Sequence, residues 1–215
     1  DNARSIVERM VQERGLDDAS LVVEIASNDG YLLQFYQQAG VGVLGIEPAR
    51  NIARVAEEKG IPTRCIFFGD ETAAALAAEG IRADVMHANN VLAHVADLNG
   101  VVEGFRQLLK PDGVAVIEVP YLRDLIEKVE FDTIYHEHLC YYSLTALEAL
   151  FQRHGLVIAD VERIAIHGGT LRLFAEALRG PAEAQYSSRV RQLLAEEQQL
   201  GMDAFPYYQR FGDRI

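Results

Sequence analysis

Nine consecutive residues, Ile134-Tyr135-His136-Glu137-His138-Leu139-Cys140-Tyr141-Tyr142, hold two imidazoles, a carboxylate and three phenols. Few structural needs explain such a density. An imidazole takes and returns protons near neutral pH, and a phenol can hold a developing oxyanion. General acid-base chemistry is therefore the preferred reading, with two others open beside it. His136 and His138, at i and i+2 on one face of an extended segment, could chelate a metal with Glu137 facing away. The sequence offers no obvious third ligand, and no metal is expected. Alternatively, the tyrosines pack and the histidines stay at the surface.

A second constellation lies near the amino terminus. The apolar run Leu21-Val22-Val23-Glu24-Ile25 leads into Ala26-Ser27-Asn28-Asp29-Gly30 and then into a helical pattern. In open α/β sheets this strand-to-helix turn is where nucleotide-like ligands bind. Small residues at Ala26 and Gly30 let a ligand approach the backbone closely. Asn28 tolerates left-handed backbone and can donate to the ligand's amino-acid end. About 20 residues further on, Glu47, followed by Pro48, ends a second strand where a carboxylate can accept both hydroxyls of a ribose. Three readings compete: an S-adenosylmethionine site, a dinucleotide site, and a tight turn with an incidental glutamate. The GxGxxG spacing that makes room for a pyrophosphate is missing, so S-adenosylmethionine is favoured. Glu24, Ala26, Asn28, Gly30, Glu47 and Pro48 are the expected contacts. Asn89 and Asn90, at the carboxyl end of a buried strand, join them, although either could instead cap a loop.

The elements that must position these groups follow from periodicity. A helix is expected over about Ala3–Arg14. Strands are expected at Leu21–Ile25, Val41–Ile46, Thr63–Phe67, Asp84–Ala88 and Val114–Val119, alternating with helices at about 31–39, 51–59, 71–78 and 98–109. This is the rhythm of right-handed βαβ units. Lys110-Pro111-Asp112-Gly113 reads as a turn. The polar and aromatic stretch from Pro120 to Tyr142 reads as an active-site insertion, followed by a helix at about 144–154. Two extended runs, Leu156–Ile166 and Thr170–Ala177, flank His167-Gly168-Gly169 as an antiparallel hairpin. An amphipathic helix over about Ala182–Leu200 comes last. The predicted fold is α/β and Rossmann-like, a mostly parallel sheet with an antiparallel edge and helices on both faces. The main domain spans 1–179 and a helical extension 180–215.

Composition narrows the partners. Apolar residues are 49% and charged residues 24%, as in a packed globular domain. A net charge of −12 repels phosphate backbones and anionic lipid, so neither nucleic acid nor a membrane is an expected partner. Cys65 and Cys140 show no CxxC pairing and read as free thiols in a reducing cytoplasm. The chain begins Asp1-Asn2 without a methionine, as an excised piece of a larger protein would.

Taken together, EIASNDGYLL, ANNVLAHV, LKPDG, IEVPY, YHEHLCYYSL and IHGGTLR resemble the nucleotide-deoxysugar C-methyltransferase family from Val22 to about Arg172. YHEH and HGGTLR are the most telling of these segments. The resemblance implies a class I methyltransferase that uses S-adenosylmethionine to methylate a ring carbon beside a keto group of a nucleotide-linked deoxysugar. It implies His138 as the base, with Tyr135 and Glu137 lining the sugar site. His136, Tyr141 and the segment His167, Gly168, Gly169 and Thr170 fall near the substrate. Family members are similar in carrying a zinc-binding domain before this region and a Rossmann-like domain after it, so flanking domains absent from this chain are expected. Two alternatives stand beside this one: an O- or N-methyltransferase of small molecules, and a cofactor-binding module of a multidomain enzyme without activity of its own.

Overall fold

The computed structural model describes residues 2–166 and 168–215, and the chain divides into two compact units. The first takes the chain up to Asn89 together with Gly100–Val116; the second takes Asn90–Asn99 and Ile117–Ile215. In the first, α1 (Asn2–Arg14) precedes β1 (Leu21–Ile25), α2 (Leu33–Gln38), β2 (Gly42–Ile46), α3 (Arg50–Glu58), β3 (Thr63–Arg64), α4 (Asp70–Ala78) and β4 (Ala83–Asn89), with most of α5 (Leu98–Leu108). Strand β5 (Leu109–Pro120) begins in the first unit and ends in the second. The second unit continues with α6 (Leu122–Lys128), α7 (Leu144–Arg153), β6 (Leu156–Ile164), β7 (Thr170–Ala177), α8 (Ala182–Gln185), α9 (Ser188–Leu200) and α10 (Phe205–Gly212).

The strands form one seven-stranded sheet in the order β3-β2-β1-β4-β5-β7-β6. β1 pairs in parallel with β2 and β4, β2 pairs in parallel with β3, and β6 pairs antiparallel with β7. This is the mostly parallel sheet with an antiparallel edge that the alternation predicts. The continuous apolar runs account for it, since a strand covered on both faces needs no polar alternation. Val22, Val23, Ile46, Val85 and Met86 are all buried. At the start of the sheet one carboxylate ties three segments: Asp84 Oδ2 accepts from the Leu21 amide at 2.7 Å and from Lys110 Nζ at 2.7 Å. That anchor lies at the head of β5, which takes in the whole Lys110–Gly113 stretch expected as a turn.

The second unit is built around a buried carboxylate. Glu197, on α9, is fully buried and accepts from the Tyr121 hydroxyl at 2.9 Å, the Leu144 and Thr145 amides at 2.7 and 2.8 Å, and Thr145 Oγ1 at 2.6 Å. The two amides are orphan donors at the first turn of α7, so one side chain caps a helix from another element and holds Tyr121 in place. Burial and the Glu197 charge both push the Tyr121 phenol above its ordinary range. A second buried pair joins Arg172 of β7 to Glu118 of β5 at 2.7 Å.

The sequence reading differs from the structure in four further places. β3 stops at Arg64 rather than Phe67, because beyond Arg64 the chain turns outward and Phe67 is exposed. The stretch after Pro120 contains α6 and a single 3₁₀ turn at Phe131–Thr133. The last long helix breaks between Gln185 and Ser188, where the Ser187 amide bonds to the Ala159 carbonyl at 2.8 Å and the Ser187 hydroxyl caps α9 through the Val190 amide. α10 follows where no element was expected, and Arg214, two residues past its end, reaches the Ile126 and Glu127 carbonyls at 2.8 Å each. The residues from 180 onward thus pack inside the second unit, α8 and α9 against β6. Among the described residues no helix is long and apolar enough to cross a membrane.

Glu197→Ala leaves two backbone amides and a buried phenol without an acceptor, and each buried donor left unpaired costs about 1–3 kcal/mol. A loss of roughly 3–5 kcal/mol is expected in denaturant unfolding, more than for Glu196→Ala next to it on the half-exposed side of α9.

Candidate active site

The turn after β1 is held in a conformation few sequences accept. Ala26 and Asn28 both have left-handed backbone, φ 51° and 50°, and Gly30 follows at φ 77°. For an alanine this costs about 1–2 kcal/mol, the kind of strain that collects at ligand sites. Gly30 has a second reason to lack a side chain, since a Cβ there would press on Ile61. Glu47 fixes the turn from β2's end, its carboxylate accepting from the Asn28 amide at 3.1 Å and the Ala49 amide at 2.8 Å. Each oxygen takes one amide and keeps a further acceptor position, which suits a pair of ribose hydroxyls. Asn28 turns its side-chain amide onto the Ala26 carbonyl at 2.9 Å, and Pro48 is half-buried.

Beneath the turn, Glu24 is buried and its Oε2 has no hydrogen-bond partner among the described residues; the same holds for Ser27 Oγ. Burial first, then the charges of Asp29 and Glu47, push the Glu24 carboxyl well above the usual carboxylate range. Below it the Tyr36 hydroxyl meets His87 Nε2 at 2.8 Å, both side chains buried, and His87 is the register neighbour of Glu24 across β1 and β4. Orphaned buried acceptors at a strand end, under a strained turn with a half-satisfied glutamate beside it, fit a ligand rich in hydroxyls and cationic nitrogen. S-adenosylmethionine is such a ligand. Asn89, at the end of β4, adds another buried oxygen without a partner among the described residues.

The second unit holds a cavity of about 400 Å³, whose walls include His138, Tyr135, Tyr141, His94 and Asn90, with Gly169 at its margin. The Tyr135 hydroxyl lies 2.9 Å from His138 Nε2. The ring of His94 stands edge-on to His138 with centroids 4.9 Å apart. A tight turn makes this grouping: the His138 amide bonds to the Tyr135 carbonyl at 3.0 Å, folding Tyr135 and His138 together and leaving His136 and Glu137 at its tip. His136 is 91% exposed in its side chain and Glu137 is exposed too, so neither lines the cavity. The two histidines do not share a face, because the segment is a turn and not the extended strand that i, i+2 spacing presumes. Of the three phenols, Tyr142 is buried and donates to the Leu92 carbonyl at 2.8 Å, so only Tyr135 and Tyr141 face the cavity.

The glycine turn is explained by carboxylates. A Cβ on Gly168 would sit on Glu130 and one on Gly169 would sit on Asp124. Gly168 accepts from Lys128 Nζ, and the buried Thr170 hydroxyl donates to the Ile166 carbonyl at 3.0 Å. His167, expected near the substrate, lies outside the described residues. His94 and Tyr121 were not singled out from the sequence. His94 could have been, since it follows Asn90 by four residues within the same phrase after β4. Among the described residues no three His, Cys, Asp or Glu side chains gather as metal ligands would.

A strained strand-to-helix turn with a ribose-type glutamate on an open α/β sheet defines a nucleotide-cofactor enzyme of the methyltransferase kind. Residues 2–161 match the family described as Methyltransferase domain, and residues 165–215 match that described as C-methyltransferase C-terminal domain. The chain belongs to the methyltransferase-domain family, the enzymes dependent on S-adenosylmethionine. It is similar to the C-methyltransferase NovU of Streptomyces niveus, 40% identical over 210 residues that are 97% of this chain and 49% of NovU. A shorter match, 39% identical over 99 residues, covers 44% of this chain and 39% of a ubiquinone biosynthesis O-methyltransferase from Roseobacter denitrificans. The chain thus spans about half or less of the length of these curated relatives. In three dimensions it is similar to magnesium protoporphyrin IX methyltransferase from Synechocystis, solved with bound S-adenosylmethionine, at a TM-score of 0.61 and 15% identity over 83% of this chain and 78% of that one. At that identity the likeness is one of fold.

Glu47→Ala should weaken S-adenosylmethionine binding by about 1.5–3 kcal/mol in calorimetric titration, the usual loss for hydrogen bonds to a charged group. Glu24 predicts a pH effect. Its folded form keeps a proton that the unfolded chain releases, so the stability of the ligand-free protein falls as pH rises from the ordinary carboxylate value toward the raised one. Melting temperatures taken from about pH 5 to about pH 8 should show this decline, and Glu24→Gln should flatten it.

Proposed function

We propose that the chain is the catalytic domain of a C-methyltransferase that adds a methyl group to a ring carbon beside a keto group of a nucleotide-linked deoxysugar, with His138 as the base. The observation that carries this reading is the Tyr135–His138 pair, 2.9 Å apart in a cavity of sugar size. A carbon next to a ketone becomes a nucleophile only after losing a proton, so such a site needs a base and a donor for the enolate oxygen. S-adenosylmethionine, when bound, supplies an electrophilic methyl group. With Nε2–H of His138 donating to the phenol oxygen of Tyr135, Nδ1 keeps a lone pair for the carbon-bound proton. The Tyr135 hydroxyl hydrogen remains to bond the keto oxygen as charge develops there. The C–H electron pair moves into the enolate, the proton rests on His138 and leaves to solvent after methylation restores the ketone. The descriptions of the carboxyl-terminal family match and of NovU as C-methyltransferases support carbon as the acceptor.

His138→Ala should lower turnover by about 10²–10⁴-fold while cofactor affinity stays nearly unchanged, because the cofactor groups lie on other residues. His136→Ala, on the exposed tip of the turn, should have little effect. Product NMR on a nucleotide-linked keto-deoxyhexose decides the acceptor atom: a new carbon-bound methyl supports the proposal, and a methoxy or N-methyl product overturns it.

A further inference from the structure

Asn90 was placed with the cofactor contacts on sequence, yet it lines the cavity that contains His138, His94, Tyr135 and Tyr141. Its Oδ1 is buried and has no hydrogen-bond partner among the described residues. Its backbone is left-handed, φ 56°, and is held there by the bond from its amide to the Glu118 carbonyl at 2.8 Å. Glu118 is in turn fixed by the buried Arg172 at 2.7 Å. A strained backbone stabilised from behind, carrying a buried polar atom with no protein partner, is arranged for something that enters the cavity.

A carboxamide presents a donor and an acceptor side by side in one plane. A hydroxyl next to a keto group presents the complementary pair. The geometry points to Asn90 as the residue that reads an adjacent hydroxyl and keto group on the sugar, Oδ1 accepting from the hydroxyl and Nδ2 donating to the keto oxygen. This rests on the C-methylation reading above and names the substrate class within it. As the C–H proton moves to His138 and its electron pair flows into the enolate, the Nδ2–H bond to the oxygen strengthens, adding a second donor to that of Tyr135.

The test uses the whole chain and its Asn90→Asp and Asn90→Ala variants. Each is titrated with S-adenosylhomocysteine, with a nucleotide-linked keto-deoxyhexose bearing a hydroxyl beside the keto group, and with the analogue lacking that hydroxyl. Exchange of the sugar's carbon-bound hydrogen with D₂O is followed by NMR. Asn90→Asp keeps the shape and the tolerance of left-handed backbone, so it remains informative where Asn90→Ala unfolds. Both variants should bind S-adenosylhomocysteine within about threefold of the parent and bind the hydroxylated sugar at least about tenfold more weakly. Asn90→Ala should weaken the analogue by a smaller factor than the hydroxylated sugar, because the analogue keeps the keto group. Asn90→Asp still accepts from the hydroxyl and loses only the donor, so it weakens both sugars alike. Exchange should slow by about 10²–10³-fold in both variants. Lost affinity for S-adenosylhomocysteine with sugar affinity intact, equal losses for both sugars in Asn90→Ala, or no change at all would each overturn the assignment. If the parent exchanges no carbon-bound hydrogen and methylates oxygen, the C-methylation reading falls, and the contrast between the two sugars still decides the role of Asn90.

Discussion

A carboxylate taken out of water must find donors in the protein or leave its oxygens without partners, and three buried glutamates meet this constraint in three ways. Glu197 is saturated by four donors and is structural: it closes α7, fixes Tyr121 and so sets one wall of the cavity. Glu47 is half satisfied, by two amides of the turn it orders, and its remaining acceptor positions are what a ribose would use. Glu24 has an oxygen with no partner among the described residues and a carboxyl pushed toward its neutral form by burial and by Asp29 and Glu47. From Glu197 through Glu47 to Glu24 the protein donors run out, and the acceptor positions left open grow in the same order.

The cofactor turn shows why the two roles lie so close together. Ala26 and Asn28 remain left-handed because the Glu47 carboxylate bonds the Asn28 amide, and the Ser27 amide bonds the Ile46 carbonyl. The same side chain that imposes the strain keeps an acceptor position open on each oxygen. A substitution at Glu47 therefore acts first on the preformed turn, and any change in affinity it causes includes the cost of losing that turn.

Much of this was legible in the sequence. β1, β2 and β4 are continuous apolar runs bounded by turn residues, and their identity is fixed locally. So is the turn at Ala26–Gly30, whose small residues and Asn28 announce the backbone they adopt. What escaped depends on partners distant in the chain. The break at Tyr186–Ser187 exists because the Ala159 carbonyl offers the Ser187 amide an acceptor, and the one local sign of it is Ser187, an N-cap residue whose hydroxyl takes the Val190 amide. Glu197 looks like any acidic residue of an amphipathic helix until α7 is brought against it. α6 was hidden because Asp124, a polar residue in its first turn, faces inward against Gly169 and Arg163.

The segment from Tyr135 to Tyr142 carries the sharpest lesson about spacing. Two histidines at i and i+2 share a face only if the chain between them is extended. Here a turn places Tyr135 and His138 together and lifts His136 and Glu137 away, so the relevant spacing is i to i+3 across a reversal. The same reversal brings the Leu139 amide to the Ala93 carbonyl at 2.8 Å, which draws the 3₁₀ turn at Leu92–His94 and its imidazole to His138. Nothing in the nine residues alone demands His94. It enters because the Leu139 amide takes the Ala93 carbonyl as its acceptor, and His94 is the next residue of that 3₁₀ turn.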